Sequence, residues 1–277
     1  MSVVDTLMDP LERLLQTHAS RMAGVVIALV IGFLWIPIGV LVFMSFADGG
    51  VLSFPPDKLT LRWYRVFLNN GTARAAIVTT LTISVPATAV SVALSTMAAY
   101  AIDRFVFPGR RGLQLLATLP IIVPLVVTGV AMVLFFRGTL GLGGYPSTVL
   151  AHVVRTVPFA TLVILPTFLT FDRQLEEASK DLGADELRTF TGVTLPNVLP
   201  GIIAGGLLAF TLSFNEFVYT YFVKGSGDPT LPVYIWNEIR YNVTPEVNVI
   251  SVVFLLLAVS MVLVAVSLTK VELLARR

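Results

Sequence analysis

Two groups of residues in this chain could do chemistry, and they are of opposite character. The first is a lone acid, Glu216, in an otherwise apolar stretch that also holds Ser213, Asn215 and Tyr219. An ionised side chain at the centre of a bilayer costs ~2.5–3.5 kcal/mol on insertion scales, so such an acid faces protein or water and not lipid. There it can meet a cation. The second group is the polar stretch EEASKDLGADELRTFTGVTLP, residues 176–196. Six of the 17 acids (Asp172, Glu176, Glu177, Asp181, Asp185 and Glu186) fall within fifteen residues of a chain that is only 13% charged.

Other chemistries are excluded by what is missing. There are no cysteines, which removes disulfides, thiolate nucleophiles and cysteine metal ligands. The two histidines, His18 and His152, are far apart and form no HExxH motif, which argues against a metalloenzyme. A serine protease would need His152, which reads instead as a cap or packing residue at the outer end of its span. None of Lys58, Lys180, Lys224 or Lys270 precedes Ser or Thr, so the chain has no G-x4-G-K-[ST] phosphate loop. The net charge of +2 is a matter of where the charges lie, and it does not indicate nucleic acid.

The elements that carry these groups are membrane spans. Hydrophobic residues make up 56% of the 277, and the charged fraction is about half the ~25% of a soluble domain. Uncharged or nearly uncharged runs at about 22–46, 76–102, 112–136, 147–171, 197–223 and 247–269 predict six transmembrane helices in an all-α membrane protein. Only Arg155 and Glu216 interrupt them. The first run is too long for a signal-peptide core and is expected to stay in the mature protein. With the N-terminus inside, eleven Lys and Arg fall on inner segments and seven on outer loops, which places both termini and the polar stretch in the cytoplasm.

Residues 1–21 contain Asp9, Pro10 and Glu12 at helix-start spacing, followed by Leu11, Leu14, Leu15, His18 and Met22 on one face. This is either an amphipathic helix on the inner membrane surface or a continuation of the first span. The outer loop 47–74 carries a short helix near 61–68. In the fifth span Gly201, Gly205, Ala209 and Ser213 recur every four residues, a small-residue stripe that admits a neighbouring helix, and Glu216 falls within its arc. The stripe borders either a substrate pathway or a packing face whose acid is satisfied by water near the outer interface. Arg155 either snorkels to the outer interface, pairs with Glu216 or a partner-chain acid, or touches substrate. Asn70-Gly71-Thr72 and Asn242-Val243-Thr244 match the glycosylation sequon without further support.

The polar stretch reads as a helical hairpin between spans 4 and 5. Leu175, Ala178 and Leu182 share one face, Gly183 supplies a left-handed turn, and Asp185 caps a second helix. Leu187 and Phe190 form the second helix's apolar face, Gly192 stops it, and Leu195-Pro196 turns the chain into span 5. Apolar knobs within a charged rim suit a soluble partner.

At these positions the chain resembles the EAA-loop permeases of type I ABC importers. The pattern E-A-[AS]-x3-G-x9-[IV]-x-L-P is matched by Glu177, Ala178, Ser179, Gly183, Val193, Leu195 and Pro196, with Ser179 and Val193 as mild departures. The segments HVVRTVPFATLV, LSFNEFV and LPVYIWNEIRYNVTPEVNVIS are similar to permeases of spermidine/putrescine importers. Such permeases often carry two adjacent acids where this chain has Asn215 and Glu216, which leaves one carboxylate fewer for a polyamine.

The resemblance implies a non-catalytic permease subunit that binds no cofactor of its own. A cytoplasmic ABC ATPase dimer, gripped through Glu177, Ala178, Ser179, Gly183, Leu187, Phe190, Leu195 and Pro196, would use ATP and Mg. A second permease and an extracytoplasmic solute-binding protein would complete the importer in the cell membrane. Ser213, Asn215, Glu216 and Tyr219 would line the pathway of a polyamine such as spermidine or putrescine. The alternatives are a permease for another small solute, anions included, and an ion-coupled secondary carrier. A carrier needs no EAA loop and is expected to show an internal repeat, which is not apparent here.

Overall fold

The computed structural model describes residues 3–49, 54–225, 227, 229–241 and 244–275, without the side chains of 3–21, 116–120 and 264–275. Twelve α-helices make up the described fold: α1 Val3–Met44, α2 Arg62–Asn69, α3 Gly71–Arg104, α4 Arg110–Ile122, α5 Leu125–Val133, α6 Tyr145–Leu169, α7 Gln174–Asp181, α8 Glu186–Thr189, α9 Leu195–Phe214, α10 Val218–Val223, α11 Leu231–Tyr241 and α12 Glu246–Ala275. Among the described residues the only β-pairing is one isolated bridge, Ala47 with Leu59.

Among the described residues five helical segments are long and apolar enough to cross a membrane: Met22–Met44, Gly71–Arg104, Tyr145–Leu169, Glu186–Phe214 and Glu246–Leu263. The stretch at 112–136 differs from the single helix expected of it. Val123 is extended (φ −76°, ψ 133°) because a residue before proline is pushed out of the helical region, and Pro124 then starts α5. What remains is Leu125–Thr139, a shorter apolar helix that ends in a π-helical turn at Leu134–Thr139. Its rise of about 22 Å falls short of a ~30 Å hydrocarbon core.

Two compact units can be distinguished. The first comprises Met1–Phe67 and Val243–Val252. Here α1 runs unbroken from Val3, so the expected amphipathic segment is continuous with the first span, and nothing in Ser20–Ala23 breaks a helix. Beyond α1 the chain folds back: Asp48 N–H donates to the Lys58 carbonyl (3.0 Å) and Thr60 N–H to that of Phe46 (2.7 Å). Ser45 and Tyr64 share a hydrogen bond of 2.7 Å. The short outer-loop helix is α2.

The second unit, Leu68–Asn242 with Val253–Arg277, has α3, α6 and α9 at its centre. Ala99, Ala160, Ile164, Phe168, Val198 and Ala209 form one buried cluster. The small-residue stripe makes this packing possible. A Cβ on Gly205 would lie 2.6 Å from Ile164 Cγ1 and 3.2 Å from the Ala160 carbonyl oxygen, and one on Gly201 would overlap Thr167. Only hydrogen fits there. Pro86 leaves the Thr82 carbonyl without its helical donor, and the Tyr145 hydroxyl donates to that oxygen at 2.7 Å.

Candidate functional site

The hairpin forms as its local signals dictate. Helix α7 ends at Gly183, whose φ of +89° lies in the left-handed region. The Asp185 carboxylate then accepts the Arg188 N–H (2.8 Å) and caps α8. Glu177, Ala178 and Leu187 are exposed, Leu187 at 71% and Leu182 at 90%. The Ser179 hydroxyl lies 3.3 Å from that of Thr189. Lys180 donates to Glu186 at 2.7 Å, and this hydrogen bond raises the ammonium's pKa above the ordinary lysine value.

Two expectations need correction. Gly192 does not stop the second helix: from Glu186 to Phe214 the chain is continuous, through a π-helical turn at Phe190–Thr194. Pro196 has no N–H for the Gly192 carbonyl and would crowd it in a regular helix. The wider turn, in which Leu195 N–H reaches Phe190 O, relieves that conflict, and the Asn197 amide takes the Val193 carbonyl at 2.7 Å. Leu195 and Pro196 therefore lie within a helix and not at a corner. Phe190 is also not a free knob, because its ring packs edge-on against Tyr100 of α3 (centroids 5.4 Å, 77°). A cleft of about 350 Å³ opens beside it, lined by Thr96, Met97, Tyr100, Glu186, Leu187 and Phe190.

Sequence reasoning missed what fastens this hairpin. Glu176 pairs with Arg104 at the end of α3 (2.5 Å) and accepts the Thr194 hydroxyl from the π turn. Asp103 holds Arg173 at 2.8 Å and lies 3.4 Å from Arg104 Nε. Asp103, Arg104 and Glu176 are largely buried, so these contacts tie α3, α7 and the root of α9 together. The available signal was an Asp-Arg pair closing an apolar span.

Inside the apolar region a second polar cluster gathers at the break between α9 and α10. The break follows Phe214, where the Asn215 side chain folds back onto the Thr211 carbonyl (2.9 Å). Glu216 is 3% exposed. Its Oε1 accepts the Tyr219 N–H at 2.6 Å, which starts α10, and its Oε2 lies 3.2 Å from Arg155 Nε of α6. Arg155 therefore pairs within the chain and does not snorkel. The His152 imidazole bridges the break, with Nδ1 2.8 Å from the Ser213 hydroxyl and Nε2 2.8 Å from that of Thr220. It is a buried staple, not a cap. Further along α3 and α6, Ser91 meets Thr156 at 2.7 Å.

Of the four expected pathway residues, the fold brings Ser213, Glu216 and Tyr219 into this buried cluster and leaves Asn215 exposed. His152, Arg155 and Thr220 join them. Among the described residues no group of His, Asp and Glu could hold a metal ion. The Asn70 amide is engaged, accepting from Ala73 N and donating to the Tyr234 hydroxyl (2.9 Å), while Asn242 lies outside the described residues.

The family model for the binding-protein-dependent transport system inner membrane component matches residues 91–277. The putrescine transport system permease protein PotI of Escherichia coli (strain K12) is 35% identical over 238 residues, covering 83% of this chain and 84% of that protein. The spermidine/putrescine transport system permease protein PotC of Haemophilus influenzae is 31% identical over 243 residues, covering 87% and 93%. In fold, the chain is similar to one from a bacterial ABC transporter involved in the import of the acidic polysaccharide alginate. The TM-score is 0.74 at 17% identity, over 96% of this chain and 98% of that one.

Proposed function

The chain belongs to the binding-protein-dependent ABC permease family, and from that premise we propose that it forms the translocation pathway of an ATP-driven polyamine importer. The permease itself is a non-catalytic, multi-pass membrane subunit. The observation that carries the substrate reading is its 35% identity, over most of both chains, to a protein named as a putrescine permease. The buried carboxylate of Glu216 at a helix break supports the same reading, since a cationic solute needs an anionic group where water is scarce.

In this reading the termini and the α7–α8 hairpin face the cytoplasm, and residues 22–277 act as the transmembrane domain behind the segment 1–21. An ATPase dimer that consumes ATP and Mg grips the hairpin through Glu177, Ala178, Ser179 and the exposed Leu187. Gly183 sets the angle between α7 and α8. Movement passes through Glu176 and Arg104 to α3 and through Leu195 and Pro196 to α9, because the second hairpin helix and α9 are one helix. A second permease and an extracytoplasmic solute-binding protein complete the assembly, and Ser213, Asn215, Glu216 and Tyr219 lie along the pathway.

The test is calorimetric titration of the cognate solute-binding protein with putrescine and spermidine. Saturable binding of either is expected. Binding of an anionic or neutral solute, with neither polyamine bound, would overturn the substrate reading and leave the family membership untouched.

A further inference from the structure

Arg155 occupies surroundings built for a cation. Its guanidinium carbon lies 5.8 Å from the ring centroid of Tyr219 and 6.0 Å from that of Phe159, both within cation–π reach. The Glu216 carboxylate closes the third side at 3.2 Å. Two aromatic faces and one carboxylate are what an organic ammonium group needs when it leaves water.

The hold on Arg155 is loose for so enclosed a pair. Its Nε makes no aligned hydrogen bond, although it lies near Oε2. The carboxylate's other oxygen is committed to the Tyr219 N–H. The Tyr219 hydroxyl is fully buried and also has no hydrogen-bond partner. Arg155 itself is 19% exposed along its side chain, which leaves it a way out. A buried ion pair fixed for stability alone would need its remaining donors and lone pairs satisfied. Here the Arg155 Nε and the Tyr219 hydroxyl both have capacity to spare.

We propose that Glu216, Tyr219 and Phe159 form a subsite for an organic cation, and that Arg155 is its tethered occupant, displaced when a substrate ammonium enters. The proposal deepens the polyamine reading and rests on it for the identity of the substrate. Exchange of one cation for another at Oε2 keeps the carboxylate neutralised throughout, so the acid is never left buried and unpaired. Arg155 thereby sets specificity, since a neutral or anionic solute cannot take its place.

The test uses the assembled importer in detergent, without its binding protein, and reads thermal stability against methylguanidinium and, separately, putrescine. Ligand that binds the folded state raises the melting temperature saturably. Wild type is expected to show no shift with methylguanidinium, because the subsite is filled. Arg155→Ala is expected to show a saturable rise with methylguanidinium and with putrescine, and Arg155→Ala/Glu216→Gln to lose both. Arg155→Gln, which keeps a polar stem without charge, is read in the same way if the alanine variant does not assemble. No rise with methylguanidinium in an assembled Arg155 variant overturns the subsite, as does a rise that survives Glu216→Gln. A rise with methylguanidinium but none with putrescine supports the subsite and counts against the polyamine reading.

Discussion

At the scale of single residues, Gly183 and Glu216 show how differently a position can be read. Gly183 has a φ of +89° with open space around its missing Cβ, so its constraint is purely backbone. A β-branched side chain there meets the left-handed penalty of about 1–2 kcal/mol, with no clash to add. Gly183→Val is expected to leave the chain in the membrane while ATPase co-purification and uptake both fall, with Gly183→Ala intermediate; normal values for both would remove the turn from coupling. That requirement was legible because a left-handed turn is local. Glu216 was legible as an acid facing away from lipid, and its pairing with Arg155 as one of three alternatives that the sequence left open. The pair joins α6 to the break after α9, and helical spacing carries no information about which distant residue an acid meets.

At the scale of elements, the second hairpin helix and α9 are one continuous helix. The hairpin's caps, Gly183 and Asp185, were readable from sequence, whereas its continuity with α9 was not, because a π turn around Gly192 and Pro196 looks like a stop signal. The break at Pro124 was hidden for the opposite reason: an apolar composition reads through a proline that the backbone does not. The fastening by Arg104 and Glu176 needed two distant polar ends to be brought together. Charge-assisted hydrogen bonds of this kind contribute about 1.5–3 kcal/mol. Glu176→Gln keeps the shape of the contact and removes its charge. The expected outcome is near-normal ATPase binding with several-fold less solute moved per ATP hydrolysed. An unchanged ratio of transport to hydrolysis in that variant would show that force reaches the spans by another route.

At the scale of the whole molecule, composition and hydropathy were sufficient for an all-helical membrane chain, and the hairpin motif for the kind of machine it serves. Among the described residues the fold provides five long apolar helices and one shorter one. The shorter element and the split at Phe214 place irregular backbone within apolar stretches. Such backbone is tolerated only where protein or a water-filled cavity surrounds it, and at the split the Asn215 amide donates to the Thr211 carbonyl while the Glu216 carboxylate accepts the Tyr219 N–H. As proposed above, this permease moves a polyamine at the expense of ATP. The direct measurement is uptake of labelled putrescine and spermidine into proteoliposomes holding the complete importer, with the binding protein outside and ATP sealed inside. ATP-dependent, saturable accumulation of one polyamine, competed by the other, is the expected result. Uptake that follows an ion gradient without ATP, or ATP-driven uptake of another solute with no polyamine moved, would contradict it.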